Sequence, residues 1–379
     1  MLLNKLKHYQ PTSSGDAALN EPFSPLWAAD TYKARTASSI YNMVQALGNF
    51  SRILVVDAVY GNDNVAIPPM QTGQRESVLR PFQNINTAIY AMQQGDVMVV
   101  MPGSYEITNF PGLTPKDNTT FLLLNATLNY SGSYSPFFTY PNPTTGVKVI
   151  GIGSSSIIKT TTNGWGGIIT PYTGPSEIQF HNLTLIAPEQ AVALLGAAGS
   201  EERIVDFYNC TIYQNDSQVD TAAGGGAGGC SIFMKNCAVK GYTYIHGRTL
   251  SREEFNFKAL DCNFEAITTN ANGKVNILDI GEYYADPTPC TTILERCTFR
   301  SENHALEVGV GYGGLGTNKK LLLTDCKFIT SKDGWIINNH PSYDFKLLNN
   351  YATYAEMGSY PVVNLLSLTG VSFDSLLEF

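Results

Sequence analysis

Charge is scarce in this chain. Asp, Glu, Lys and Arg make up 15% of its 379 residues, and the formal net charge is −8. Nucleic-acid binding needs a basic patch, so that balance argues against nucleic acid as a partner. Long hydrophobic runs are missing too. Nowhere do about 18 apolar residues follow one another, so no segment is expected to insert in a membrane. The opening Met1-Leu2-Leu3-Asn4-Lys5-Leu6-Lys7 lacks the continuous apolar stretch of a secretory signal, and the expectation is synthesis in a cytosol. The seven cysteines include no CxxC and no Cys/His spacing of the zinc-site kind. No metal and no cofactor are expected.

What the chain does have is repetition. In Val205-Asp206-Phe207-Tyr208-Asn209-Cys210-Thr211-Ile212 the apolar residues fall four and two places before Asn209, then one and three places after it. That is two period-2 strands, each with one inward face, meeting at a single Asn. The same frame fits around Asn125, Asn182, Asn236, Asp261, Arg296 and Asp325, more weakly around Gly151 and Asn349, and again around Gly370. Successive centres lie 26, 31, 27, 27, 25, 35, 29, 24 and 21 residues apart. A strand-rich unit of this length cannot bury its own apolar face and must stack on its neighbours. The reading is an all-β solenoid, a parallel β-helix of about ten turns, one turn per repeat. Turns spaced about 4.8 Å apart would give a core of roughly 45 Å.

The central residue of each unit must tolerate the left-handed backbone region, for which Gly, Asn and Asp are suited. All the centres are of those types except Arg296. Cys210, Cys237, Cys262, Cys297 and Cys326 each follow a centre, so stacking lines them up inside the coil. A separation near 4.8 Å exceeds the Cβ distance of roughly 3.8 Å that a disulfide prefers, and a ladder of reduced core thiols is expected. Asn-X-Ser/Thr triplets at Asn118, Asn182 and Asn209 are read as part of the repeat rather than as glycan acceptors.

Residues 1–50 do not follow the repeat and form a capping or attachment segment, with Ile40, Met43, Val44 and Leu47 on one helical stripe. Residues 51–379 form the β-helix domain. Its opening has a strand at Arg52–Asp57, a helix at Asn86–Gln93 and a strand from Val97 closed by Pro102-Gly103-Ser104-Tyr105. The order Val56-Asp57-Ala58, Gly61-Asn62-Asp63, Arg80-Pro81-Phe82, Ala88-Ile89, Gly95-Asp96-Val97 and Pro102-Gly103-Ser104-Tyr105 resembles the start of right-handed parallel β-helix proteins of the pectate-lyase-like superfamily. The resemblance implies right-handed coils and a capping helix within residues 52–107. It leaves function open, since that superfamily includes polysaccharide lyases, glycoside hydrolases, phage tailspikes, virion proteins and adhesins.

A third strand is expected about ten to seventeen residues after each centre. With Ile245, Leu278, Leu306 and Ile336 inward, His246, Asp279, Glu307 and Ile337 would stack outward, with Glu282 and Arg248 close by. Carboxylates on neighbouring turns raise each other's pKa and suit acid–base work, which makes Asp279, Glu282 and Glu307 the candidate catalytic residues. A polar outer face with scattered charges gives the same pattern. His246, Arg248, Tyr283, Tyr284, Tyr312, Trp335 and His340 are candidate glycan contacts, because flat amphipathic rings suit sugar faces. The glycine-rich runs 221–229 and 309–316 read as loops rather than phosphate cradles.

Polygalacturonase-like members of the superfamily carry a paired Asp-Asp and Gly-His-Gly, and neither occurs here. Arg248, Arg252, Arg296 and Arg300 lack the acidic cluster that a pectate lyase sets beside its arginine. The resemblance therefore points to a virion surface protein. Such a phage spike, fibre or decoration subunit would be made in the host cytoplasm, form a homotrimer, join other virion proteins through residues 1–50 and touch host surface polysaccharide. A tailspike-type depolymerase and a cell-surface adhesin are the alternatives.

Overall fold

A computed structural model describes Val44 and residues 50–63, 81–108, 112–132, 137–138, 144–161, 168–170, 175–187, 193–194, 203–214, 224–225, 230–240, 243–247, 255–265, 278–282, 290–301, 306–308, 319–330, 336–338, 343–348, 351–354 and 372–373. Each coil uses the two halves of the repeat as two walls. The first wall is a twelve-stranded sheet running from Ile53–Val56, through Val97–Val100, Thr120–Leu124, Thr144–Ile152, Ser176–His181 and Arg203–Tyr208, to Ser372–Phe373. The second wall has ten strands, Gly103–Ile107 to Tyr351–Tyr354. A third wall of four strands comprises Thr243–Gly247, Leu278–Glu282, Leu306–Val308 and Ile336–Asn338. Every neighbouring pair is parallel and consecutive coils pair in order, as in a parallel β-helix. Crossovers between parallel strands of one sheet wind right-handed in about 98% of cases. About ten complete turns were expected. Among the described residues, the continuous third wall belongs to only four coils.

Inward residues stack in columns because register holds from coil to coil. One first-wall column runs Phe121, Val149, Phe180, Phe207, Met234, Ala259, Leu294, Leu323. All eight are fully buried. Phe180 and Phe207 stack at 5.3 Å, and Phe137 meets both Phe121 and Phe180 edge-on. On the second wall Leu128, Ile158, Leu185, Ile212, Val239, Phe264 and Phe299 form the matching column, with Phe264 and Phe299 stacked at 5.1 Å. Burial of such side chains contributes about 1.5–3 kcal/mol each, the main force holding the coils together.

The corner between the first two walls follows one rule. Asn125, Asn182, Asn209, Asn236, Asp261, Arg296 and Asp325 all adopt left-handed backbone, with φ between 49° and 55°. Asn209 Nδ2 donates to Asn182 Oδ1 and Asn236 Nδ2 to Asn209 Oδ1, both at 3.2 Å. The Asn182 Nδ2 has no partner among the described residues, which fits a preceding corner made by glycine. That corner is Gly153 (φ 92°) and not Gly151. The strand Thr144–Ile152 stays in register with Thr120–Leu124 through Ile152, so the bend comes two residues later than the apolar pattern suggests.

Arg296, the exception in type, is held by ions. Its Nε donates to Asp261 Oδ1 at 2.6 Å and its second terminal nitrogen to Asp261 Oδ2 at 3.1 Å, while the first meets Glu295. The guanidinium and Glu295 are what an arginine offers at this corner in place of the amide ladder. The corners at Asn349 and Gly370 lie outside the described residues.

The five thiols behind the corners are reduced and buried. Each Sγ reaches the carbonyl just before its own corner: Cys210 that of Tyr208 at 3.5 Å, Cys237 that of Lys235 at 3.4 Å, Cys262 that of Leu260 at 3.2 Å. Burial pushes the Cys210 thiol up, which keeps it protonated.

At the first coil, the helix Ile85–Ala91 starts where Asn84 accepts from the backbone of Asn86, and its Ile85, Ala88 and Ile89, with Met92 just beyond, join the main core. The strand expected to close at Pro102-Gly103-Ser104-Tyr105 does so, and Gly103 then opens the second wall. Arg52 and Asp96 form a buried ion pair at 2.8 Å beside the turn that leads into Val97–Val100. Of residues 1–50 only Val44 and Phe50 are described. Val44 is buried on the outward face of the first wall, among Ile53, Val55, Val97, Val99, Leu122 and Ile150.

Candidate functional site

Third-wall strands begin 7, 17, 10 and 11 residues after their corners at Asn236, Asp261, Arg296 and Asp325. Their register places Asp279 opposite Glu307, and Glu307 opposite Ile337. Three of the four residues expected in one outward column therefore share a column. His246 does not join them. It pairs with Gly281, and Tyr244 stands opposite Asp279. Ile245 likewise pairs with Ile280, not with Leu278, whose partner is Thr243. The short connection after Asn236 is the reason: stacking fixes the corner but not the length of chain spent before the third wall. Glu282 stands opposite Gly247, three positions along its strand from Asp279. Arg248, Tyr283, Tyr284, Tyr312, Trp335 and His340 lie outside the described residues.

A second cluster occupies the outward face of the first wall. Outward positions of the repeat lie one, three and five places before each corner, and register joins them into columns. One runs Lys148, Gln179, Asp206, Phe233, Lys258, and the next runs Ile150, His181, Tyr208, Lys235, Leu260. The His181 and Tyr208 rings stack at 4.7 Å and 7°. Phe233 meets Tyr208 at 5.6 Å, turned by 62°. The Tyr208 hydroxyl donates to Asp206 Oδ2 at 3.3 Å, and Gln179 Nε2 donates to Asp206 Oδ2 at 3.4 Å and to Glu177 Oε1 at 3.2 Å. Glu177, Gln179, His181, Asp206, Tyr208 and Phe233 are half-buried, while the flanking Lys148, Lys235 and Lys258 are exposed.

That partial burial sets the protonation states. Burial raises the Asp206 carboxyl above its ordinary range, and the Glu177 charge adds to the shift while the Tyr208 and Gln179 donors oppose it. Burial and the Asp206 carboxylate push Tyr208 up to about 12, so it remains a donor. Burial, then the Lys148 charge, lowers His181 to about 4, leaving it neutral at pH 7. This cluster is not among the sequence candidates. The signal for it was present, since His181 and Tyr208, and likewise Asp206 and Phe233, are 27 residues apart, one period. Among the described residues no three His, Cys, Asp or Glu side chains converge as metal ligands.

No family model matches the chain and no curated protein is similar to it. Among solved structures, a crystal structure of a pectate lyase aligns with TM-score 0.43 and 12% identity over 82% of this chain and 79% of its own. A pectin methylesterase from Aspergillus niger, in deglycosylated form, aligns with TM-score 0.28 and 10% identity over 84% of this chain and 94% of its own. At these TM-scores nothing of either enzyme's chemistry transfers to this chain.

Proposed function

We propose that the chain is a virion surface structural protein, a homotrimeric spike, fibre or decoration subunit whose third wall meets host surface polysaccharide. The observation that supports it best is the adjacent-coil column Tyr244, Asp279, Glu307. It sets an aromatic residue and two acids at successive steps of about 4.8 Å on a wall braced by the stacked core. Aromatic rings offer apolar area and carboxylates accept sugar hydroxyls.

A second reading rests on the same pair. Two carboxylates about 5–5.5 Å apart suit a retaining glycosidase, and adjacent coils come near that spacing, so Asp279 and Glu307 would serve a depolymerase. Incubation with host capsule or lipopolysaccharide separates the two. Retention of the protein without chain shortening, together with its location on particles by electron microscopy, is expected from the first reading. Shortened chains that vanish with Asp279→Asn or Glu307→Gln would give the second. Neither retention nor cleavage would sink both.

A further inference from the structure

We infer that the outward face of the first wall carries a saccharide site of its own, separate from the third wall and independent of the reading above. It is built from Gln179, His181, Asp206, Tyr208 and Phe233. The ligand class is a neutral, hydroxyl-rich pyranose oligosaccharide lying along the coil axis.

Three observations carry this. First, aromatic rings stand on three successive coils, and the third departs from the stack. His181 and Tyr208 lie parallel, while Phe233 is rotated by 62° against Tyr208, so its face does not continue their pile. All three are half-buried on an outward face, whereas the aromatic residues of the core column are fully buried. An aromatic face of this kind takes the apolar C–H side of a sugar ring.

Second, hydrogen-bonding capacity beside the rings is left open. Both described donors to Asp206, the Tyr208 hydroxyl and Gln179 Nε2, reach Oδ2, and no described residue donates to Oδ1. A carboxylate oxygen accepts from two directions, so Asp206 can receive sugar hydroxyls without losing its present partners. Gln179 and Tyr208 hold it in place for that, which limits the ordering cost of binding.

Third, the charge and the spacing suit such a ligand. Glu177 and Asp206 favour hydroxyl donors, and Lys148, Lys235 and Lys258 in the same two columns balance their charge, which suits a ligand without net charge. The coil step of about 4.8 Å is comparable to the length of one pyranose residue, so successive sugars meet successive coils in step.

The test is titration of the full chain at pH 7 with maltotriose, cellotriose and mannotriose, followed by saturation-transfer NMR, with trigalacturonate as the anionic comparison. Saturation by at least one neutral trisaccharide is expected, with trigalacturonate weaker. Phe233→Ala should weaken binding about tenfold. Asp206→Ala should weaken it at least as much, and Lys240→Ala, at an exposed second-wall position outside both proposed sites, should leave it unchanged. Circular dichroism and the unfolding midpoint show that each variant is folded. The proposal is overturned if none of the neutral sugars saturates, or if binding survives Phe233→Ala and Asp206→Ala. It also falls if Glu307→Gln abolishes binding, which would assign the sugar to the third wall. Sedimentation supplies the remaining outcome. An oligomer that dissociates on Phe233→Ala would make this face a subunit interface and end the proposal.

Discussion

Between the first and second walls the chain turns the same way in every described coil from Asn182 to Asp325. The first-wall strand ends one residue before the corner, the corner residue has φ near 54°, and the second-wall strand begins two residues later or very close to it. Between the second and third walls nothing is so regular. There the connections differ by up to ten residues, and the register drifts far enough to put Tyr244 where His246 was expected. Both regions belong to the same coils. The difference is that the first corner is fixed locally by one backbone conformation and by inward side chains on both sides of it. The approach to the third wall takes a different length of chain in each of its four coils. In a stacked fold, register is only as strict as the shortest connection that carries it.

Single-residue insertions break or sharpen this contrast most strongly. One glycine placed between Asn209 and Cys210 should flip Thr211–Gln214, expelling Ile212 from the core and costing more than about 4 kcal/mol of stability by denaturant unfolding. The same insertion between Gly241 and Tyr242 should cost less than about 1 kcal/mol, because connections there already vary from coil to coil. Equal costs would show that the two edges are constrained alike.

A smaller effect isolates the corner itself. Asn209→Val forces a β-branched residue to φ 54° and removes both amide ladder bonds. The expected loss is about 1–3 kcal/mol, with Asn209→Gly losing distinctly less, since glycine keeps the backbone conformation and gives up only the ladder. Identical losses for Val and Gly would mean that the amide ladder, not the left-handed backbone, holds the corner.

The last effect concerns pH. His181 binds its proton near pH 4 in the fold but near 6.5 when unfolded. Between those values the unfolded chain holds more protons, so stability should fall as pH drops from about 6.5 to about 4. Asp206, whose carboxyl is raised, works in the opposite sense at the acid end of that window. His181→Gln should flatten the slope between pH 6.5 and 4 in midpoint measurements. A slope unchanged by that substitution would remove His181 as its source.

Much of this architecture can be read from residue types alone. Val205, Phe207, Cys210 and Ile212 mark two inward faces, and Asn209 between them marks a left-handed corner, because alternation and φ are properties of a few consecutive residues. The same frame failed at Gly151, where a strand ran two residues longer than its apolar residues announce. It also gave no reason for Arg296. Its reason is the Asp261 carboxylate, 35 residues earlier and one coil away. The third-wall acids were half legible. Their strands could be located, so Asp279 and Glu307 were matched, but His246 was not, since its offset depends on how much chain the preceding connection consumes.

The sequence by itself determined the coil, its repeat, its inward columns and its thiol line, because burial on one face of short strands is a local demand made again every 27 residues or so. Tertiary structure alone decided which outward side chains meet. His181, Tyr208 and Phe233 become neighbours, and Asp206 gains Gln179 as a partner, only when coils are stacked in register. No short-range rule brings residues 25 or 27 positions apart within reach. The sheet's hydrogen bonds do, by holding successive coils about 4.8 Å apart.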